Sequence, residues 1–178
     1  MPTKLRPRMI FLQGVHHQIQ HNGIGSRTSG DREAFKRYLE KQIKKLNIGL
    51  LAEEFNEECL IKSDATESTV GHVAEKLKIK HKFCDPNREE REKNGILSDG
   101  EIIKNLGLPK QLDSENLRRL EEEKKKDFKR REQFWFDKIS DSLQNINVIF
   151  VCGTDHLEGL QLRFNENGIQ SRILDDKF

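Results

Sequence analysis

The sequence predicts an α/β fold. It is read as a single domain over 1–178, with one mostly parallel central sheet of about five strands, helices on both faces, and one long charged helix. Three observations carry this. Short apolar runs alternate with segments of helical periodicity, and such alternation implies parallel strands joined by crossovers. The run Val148-Ile149-Phe150-Val151-Cys152 is apolar at every position, as suits a strand covered on both faces. The length of 178 residues suits one core, and 34% hydrophobic against 35% charged residues makes that core modest beneath a charged surface.

Taken in order, residues 9–13 read as the first strand and residues 14–30 as a loop long enough to be functional. A helix over 31–46 places Phe35, Tyr38, Leu39, Ile43 and Leu46 on one face, and Asn47 ends it. Ile48 to Ala52 is a second strand that runs directly into Glu53-Glu54. Asp64 and Glu67 have capping-box spacing ahead of a helix with Val70, Val73, Ala74 and Leu77 at i, i+3, i+4, i+7. Ile79 to Cys84 is a third strand. Its Lys80 and Lys82 alternate with Ile79, His81 and Phe83, which suits a sheet edge with one wet face. Residues 88–94 read as a helical turn stopped by Gly95, and 98–106 as a short helix ended by Gly107 and Pro109. Residues 113–145 read as one long helix with a broken stripe of Leu117, Leu120, Phe128, Trp135, Ile139 and Leu143. Its Glu121 to Lys126 run offers i, i+4 Glu→Lys pairs and reads as a solvated face. After the fourth strand Gly153 turns the chain. Asp155 and Glu158 then have capping-box spacing, and a helix from about His156 to Asn167 turns Leu157, Leu160 and Phe164 inward. Asn167-Gly168 is a C-cap, and Ile169 to Leu174 is the last strand.

Several function classes lose support from composition. A net charge of +2 gives no bulk electrostatic case for nucleic acid or membrane partners. No apolar run approaches the ~20 residues of a membrane span. The basic N-terminus is followed by an apolar run only a strand long, unlike a signal peptide. Cys59, Cys84 and Cys152 show no CxxC spacing and read as reduced thiols of a cytoplasmic protein.

The chemistry gathers where strands end. The first strand ends near His16 and His17, the second at Glu53 and Glu54, the third at Asp85 and the fourth at His156. Parallel strands place such ends along one rim, where open α/β sheets bind ligands. Two histidines and carboxylates can hold a divalent metal with an open position for water. Without metal, histidine can serve as general base and a carboxylate as its orienter or as an acid. His156, near a helix N-terminus, feels positive potential that disfavours the imidazolium. Glu53 and Glu54 should point to opposite faces, one toward the site and the other toward a cation or solvent. Arg131 is the candidate to offset the acidic cluster, with Arg91 second. His72 and His81 are read as structural or surface residues. Asn22-Gly23-Ile24-Gly25 lacks the spacing of a phosphate loop.

Gly14-Val15-His16-His17, Glu53-Glu54 and Gly153-Thr154-Asp155-His156 together resemble the superfamily of erythromycin esterase-like, ChaN-like, TIKI and TraB proteins, which carries two GxxH motifs around an acidic pair. By spacing, His17 is the histidine that matches. The resemblance implies a hydrolytic site at the strand ends, although not the nucleophile-elbow fold, since no G-x-S-x-G is present. TIKI-like members are regarded as metal-dependent peptidases, erythromycin esterase-like members open a lactone with histidine and glutamate, and ChaN-like members bind haem. The chain is shorter than the larger members.

The leading expectation is thus a small cytoplasmic hydrolase of esters, amides or phosphoesters acting on a small-molecule or peptide substrate. His17, Glu53, Glu54, His156 and Arg131 would be catalytic. His17, Glu53, Glu54 and His156 would also be ligands if a divalent metal takes part, with His16 and Asp85 as alternates. The alternatives are a haem- or metal-binding module, with Ile19 or Ile24 beside axial histidines, and a signalling or defence-associated module. In the last, the long helix would be an interaction surface through which copies could pair.

Overall fold

The computed structural model describes residues 8–109, 111–144, 146–175 and 178. Five strands, β1 (Met9–Val15), β2 (Ile48–Glu53), β3 (Lys80–Phe83), β4 (Asn147–Gly153) and β5 (Gln170–Asp175), form one sheet in the order β3-β2-β4-β1-β5. Every pairing in it is parallel. The helices are α1 (Ser29–Leu46), α2 (Glu57–Lys62), α3 (Thr69–Leu77), α4 (Arg88–Asn94), α5 (Asp99–Asn105), α6 (Ser114–Ser140) and α7 (Leu157–Glu166). No described helix is long and apolar enough to cross a membrane.

Strand alternation splits the interior into two layers. Ile10, Leu12, Leu50, Ala52, Val148, Phe150 and Cys152 pack with Trp135 and Ile139 of α6 and with Leu160 and Phe164 of α7. Phe11, Leu51, Ile149 and Val151 pack on the other face with Phe35, Leu39 and Ile43 of α1 and Val70, Val73 and Ala74 of α3. β4 is buried along 148–153, as its unbroken apolar run requires. β3 is the half-exposed edge that the lysine alternation predicts.

The order has a consequence for the site. β1 and β4 are neighbours, with Gly14 opposite Cys152 and Val15 opposite Gly153. From β1 the chain leaves through α1 toward β2, and from β4 it leaves through α7 toward β5, on the opposite face. Adjacent strands whose connections depart in opposite directions open a crevice at their carboxyl ends. Both Gly-x-x-His segments lie at that crevice.

Local boundaries differ from the sequence reading in several places; β1 runs on to Val15, and a 3-10 turn over His17–Ile19 lies inside the expected loop. α1 begins at Ser29, because Thr28 caps it by accepting the Asp31 N–H. The cap of α3 is Ser68 rather than Asp64, with Ser68 Oγ accepting the Gly71 N–H. Asp64 instead takes a left-handed conformation (φ 49°) after α2, a six-residue helix none of whose residues is buried. Asp155 forms no capping box; a 3-10 turn over Thr154–His156 precedes α7, whose N-cap position is His156, without a side-chain cap. The long helix stops at Ser140 and a 3-10 turn covers Asp141–Gln144.

Candidate functional site at the carboxyl edge of the sheet

The parity of β2 sorts the two glutamates. Leu50 and Ala52 face the α6/α7 layer and Leu51 faces the α1/α3 layer. Glu54 follows the former and Glu53 the latter, so adjacent carboxylates enter different environments. The Glu54 N–H donates to Val151 O at 2.8 Å, which extends the β2–β4 ladder to the site. Glu54 Oε2 accepts the Gly153 N–H at 2.8 Å, and Oε1 accepts Arg131 Nη2 at 2.7 Å. His17 Nε2 stands 3.8 Å and His156 Nε2 3.7 Å from that same Oε1. The ends of β1 and β4 therefore converge on one oxygen of the carboxylate that follows β2. Glu54 and His156 are buried, while the His17 side chain is 56% exposed.

Arg131 supplies the cation. Its Nη2 donates at 2.7 Å to both Glu54 Oε1 and Asp85 Oδ1, and its guanidinium lies 5.0 Å from the Trp135 ring centroid. Burial alone would lower the arginine pKa; Glu54 and Asp85 outweigh it and hold the group above its ordinary value. Asp85 is saturated further, by Arg91 Nη2 at 2.8 Å and the Trp135 indole N–H at 3.3 Å. Fully buried Trp135 thus has a partner for its polar edge, as buried indoles require.

His156 is held from behind. Its Nδ1 lies 3.0 Å from Glu132 Oε1, and its ring packs against Phe128 at 4.2 Å and edge-on to Trp135 at 4.8 Å. With Nδ1 donating to the carboxylate, Nε2 carries the lone pair in the neutral ring. Gly159 makes room for the pair, since a Cβ there would lie 2.5 Å from Glu132 Oε2. Burial, then Glu54 and Glu132, push the thiol pKa of buried Cys152 well up, which disfavours the thiolate.

Of the residues expected at the site, His17, Glu54, His156 and Arg131 come together, and Asp85 joins through Arg131. Glu53 does not. It is fully buried on the α3 side, away from solvent, and among the described residues no arginine or lysine pairs with it; the basic group it meets is the His81 imidazole. Its Oε1 accepts the Ser68 hydroxyl and lies 2.8 Å from His81 Nε2, and its Oε2 accepts Gln20 Nε2 at 3.2 Å. His16 is exposed, its N–H donates to Phe178 O, and its side chain lines a separate cavity with Ile19 and Arg27, so His17 is the member of the pair that approaches Glu54. His81 is structural in the sense that it holds Glu53. Arg91 braces Asp85 and also lines a cavity of about 760 Å³ with Cys59, Ile96, Leu97 and Ser98. Sequence reasoning missed Glu132 and Gln20, which reach the centre from the far end of α6 and from the first loop with no motif to mark them.

The donor set, as placed, does not fit a divalent ion. The natural ligands are His17 Nε2, His156 Nε2 and Glu54 Oε1, but Arg131 already donates to that oxygen and the Gly153 N–H holds the other. A dication would have to displace a guanidinium shared with Asp85. Among the described residues, no group of three or more His, Cys, Asp or Glu side chains is arranged to hold a metal.

No family model matches the chain, and no curated protein or solved structure matches it either. Fold and site together define a class: a parallel α/β protein with a histidine–glutamate–histidine centre, braced by an arginine, at its switch point.

Proposed function

We propose that this protein is a small hydrolase of carboxylic esters or amides, working by general acid–base catalysis without a metal. The observation that carries the reading is the approach of two imidazole Nε2 atoms, from adjacent strand ends, to one carboxylate oxygen at 3.7 and 3.8 Å. A water among them can donate its two O–H bonds to the two imidazoles, which leaves an oxygen lone pair for attack on a carbonyl. His17, the exposed member, takes the proton at Nε2, and the imidazolium that forms faces the Glu54 carboxylate. The proton then passes to the departing oxygen or nitrogen, so the products are the acid and an alcohol or amine. Glu132 keeps His156 in one tautomer and Arg131 keeps Glu54 in place. Both arginines near the centre are committed to carboxylates, which argues for an uncharged carbonyl rather than a phosphoester. The resemblance to erythromycin esterase-like proteins in the two GxxH segments and the acidic pair supports the same reading.

The test is hydrolysis of a panel of activated esters, lactones and anilides by metal-free protein. His156→Gln and Glu54→Gln should each reduce turnover by about 10²-fold or more. Turnover that persists unchanged in both variants would sink the proposal, and dependence of the rate on an added metal would redirect it.

A further inference from the structure

The Glu53 carboxylate is buried on the wrong side of β2 to touch the centre, yet it is linked to it through one side chain. Gln20 lies just past the 3-10 turn His17–Ile19 that follows β1, fully buried. Its amide nitrogen faces two acceptors, Glu53 Oε2 at 3.2 Å and the Glu54 carbonyl oxygen at 3.5 Å. Reversing the amide would set oxygen against oxygen at both, so Nε2 must occupy that position. Gln20 Oε1 is then turned to His17, 2.8 Å from Nδ1. An amide oxygen only accepts, so His17 Nδ1 must carry the hydrogen.

From this chain of contacts we infer that Gln20 is a positioning residue that fixes His17 as the Nδ1–H tautomer, with Glu53 as the group that orients Gln20. The lone pair of His17 is thereby placed on Nε2, the atom facing Glu54 and Gly153. Nothing else described at His17 dictates this. Its side chain is 56% exposed, and an imidazole in water exchanges tautomers freely. Glu53 is itself over-determined by Ser68 and His81, so the orientation is imposed from the α3 side of the sheet. The inference gives the acidic doublet two tasks. Glu54 acts at the centre directly, and Glu53 acts at one remove. It rests on the hydrolase reading for its purpose, although not for its geometry.

The experiment is ¹⁵N-histidine NMR on the full chain, with the His17 signals assigned by their loss in His17→Asn. The wild-type protein should show Nδ1 protonated and Nε2 bare in the neutral ring. In Gln20→Met, which keeps the volume and removes the acceptor, that preference should be lost, and any measured ester turnover should fall about 10–100-fold. Glu54→Gln should abolish turnover and leave the tautomer as it is. A wild-type His17 protonated at Nε2 overturns the inference without need of any variant, as does an unchanged tautomer in folded Gln20→Met. A correct tautomer in a protein that hydrolyses nothing would overturn the hydrolase reading and leave the positioning intact.

Discussion

Gly153 offers the sharpest probe of the centre. Its backbone sits at φ −57° and ψ 143°, a conformation open to any residue, so Gly153→Ala introduces no backbone strain. The added methyl would lie 2.9 Å from His17 Nε2, 3.3 Å from His17 Cε1 and 3.5 Å from Glu54 Oε2. Nonbonded atoms of this size rest at about 3.5–4.0 Å, so the ring must withdraw by roughly 0.6–1.1 Å. Because the His17 side chain is 56% exposed, it can retreat into solvent at little cost. Replacing glycine at a compatible conformation itself stabilises by about 0.4–1 kcal/mol through the unfolded chain. The variant should therefore melt at or slightly above the wild-type temperature. On the proposed hydrolase reading, ester turnover should nevertheless drop by about 10²-fold, the scale of a ~1 Å misplacement of a reacting group. The assay is paired: thermal melting by circular dichroism, and steady-state hydrolysis of an ester the wild-type protein turns over. Wild-type turnover in a normally folded Gly153→Ala would refute the claim that His17 works against Glu54.

Gly159→Ala should behave in the opposite way: its methyl meets the buried Glu132 carboxylate at 2.5 and 2.7 Å, so chemical denaturation should show a loss of about 1–3 kcal/mol despite the better helix propensity of alanine. Arg131→Met leaves Glu54 and Asp85 buried without their shared cation and should cost about 3–5 kcal/mol in urea unfolding; a loss below ~1 kcal/mol would show that other partners suffice. Asp127, whose pKa burial raises, bears a charge the fold disfavours. That penalty is absent below the unfolded carboxylate value of about 3.9 and complete above the raised folded value. Asp127→Asn retains an acceptor for the Leu97 N–H, so it should stabilise at pH 7 with a gain that fades on acidification; a pH-independent difference would count against this.

Much of the framework can be read from residue order, because it depends on local patterns. The fully apolar β4, the lysine-alternating edge strand and the helix faces around Phe35, Val70 and Trp135 announce themselves by period. His17 and His156 can be found too, since a strand followed by Gly-x-x-His restricts where an imidazole goes. What the sequence leaves open is settled by contacts between distant segments. Glu53 and Glu54 are equivalent in composition, and only the packing of β2 between two layers assigns their faces. Glu132 is one acid among many on α6 until α7 sets His156 beside it. The misread caps have the same origin. Asp64 has the right spacing, but the bridge between His21 and Ser68 and the Thr69 N–H to Gln20 O bond fix the start of α3 four residues later.

β4 enters the sheet between β2 and β1, two strands made much earlier and out of reach of each other without it. Glu54 and the Gly153 amide that grips it are separated by 99 positions along the chain. During synthesis the front half must wait, with an open slot, for a wedge supplied near the end. Assembly of the centre is thus tied to completion of the sheet, and a chain cut anywhere between Glu54 and Asn147 should possess the individual groups but no assembled centre until the two pieces find each other.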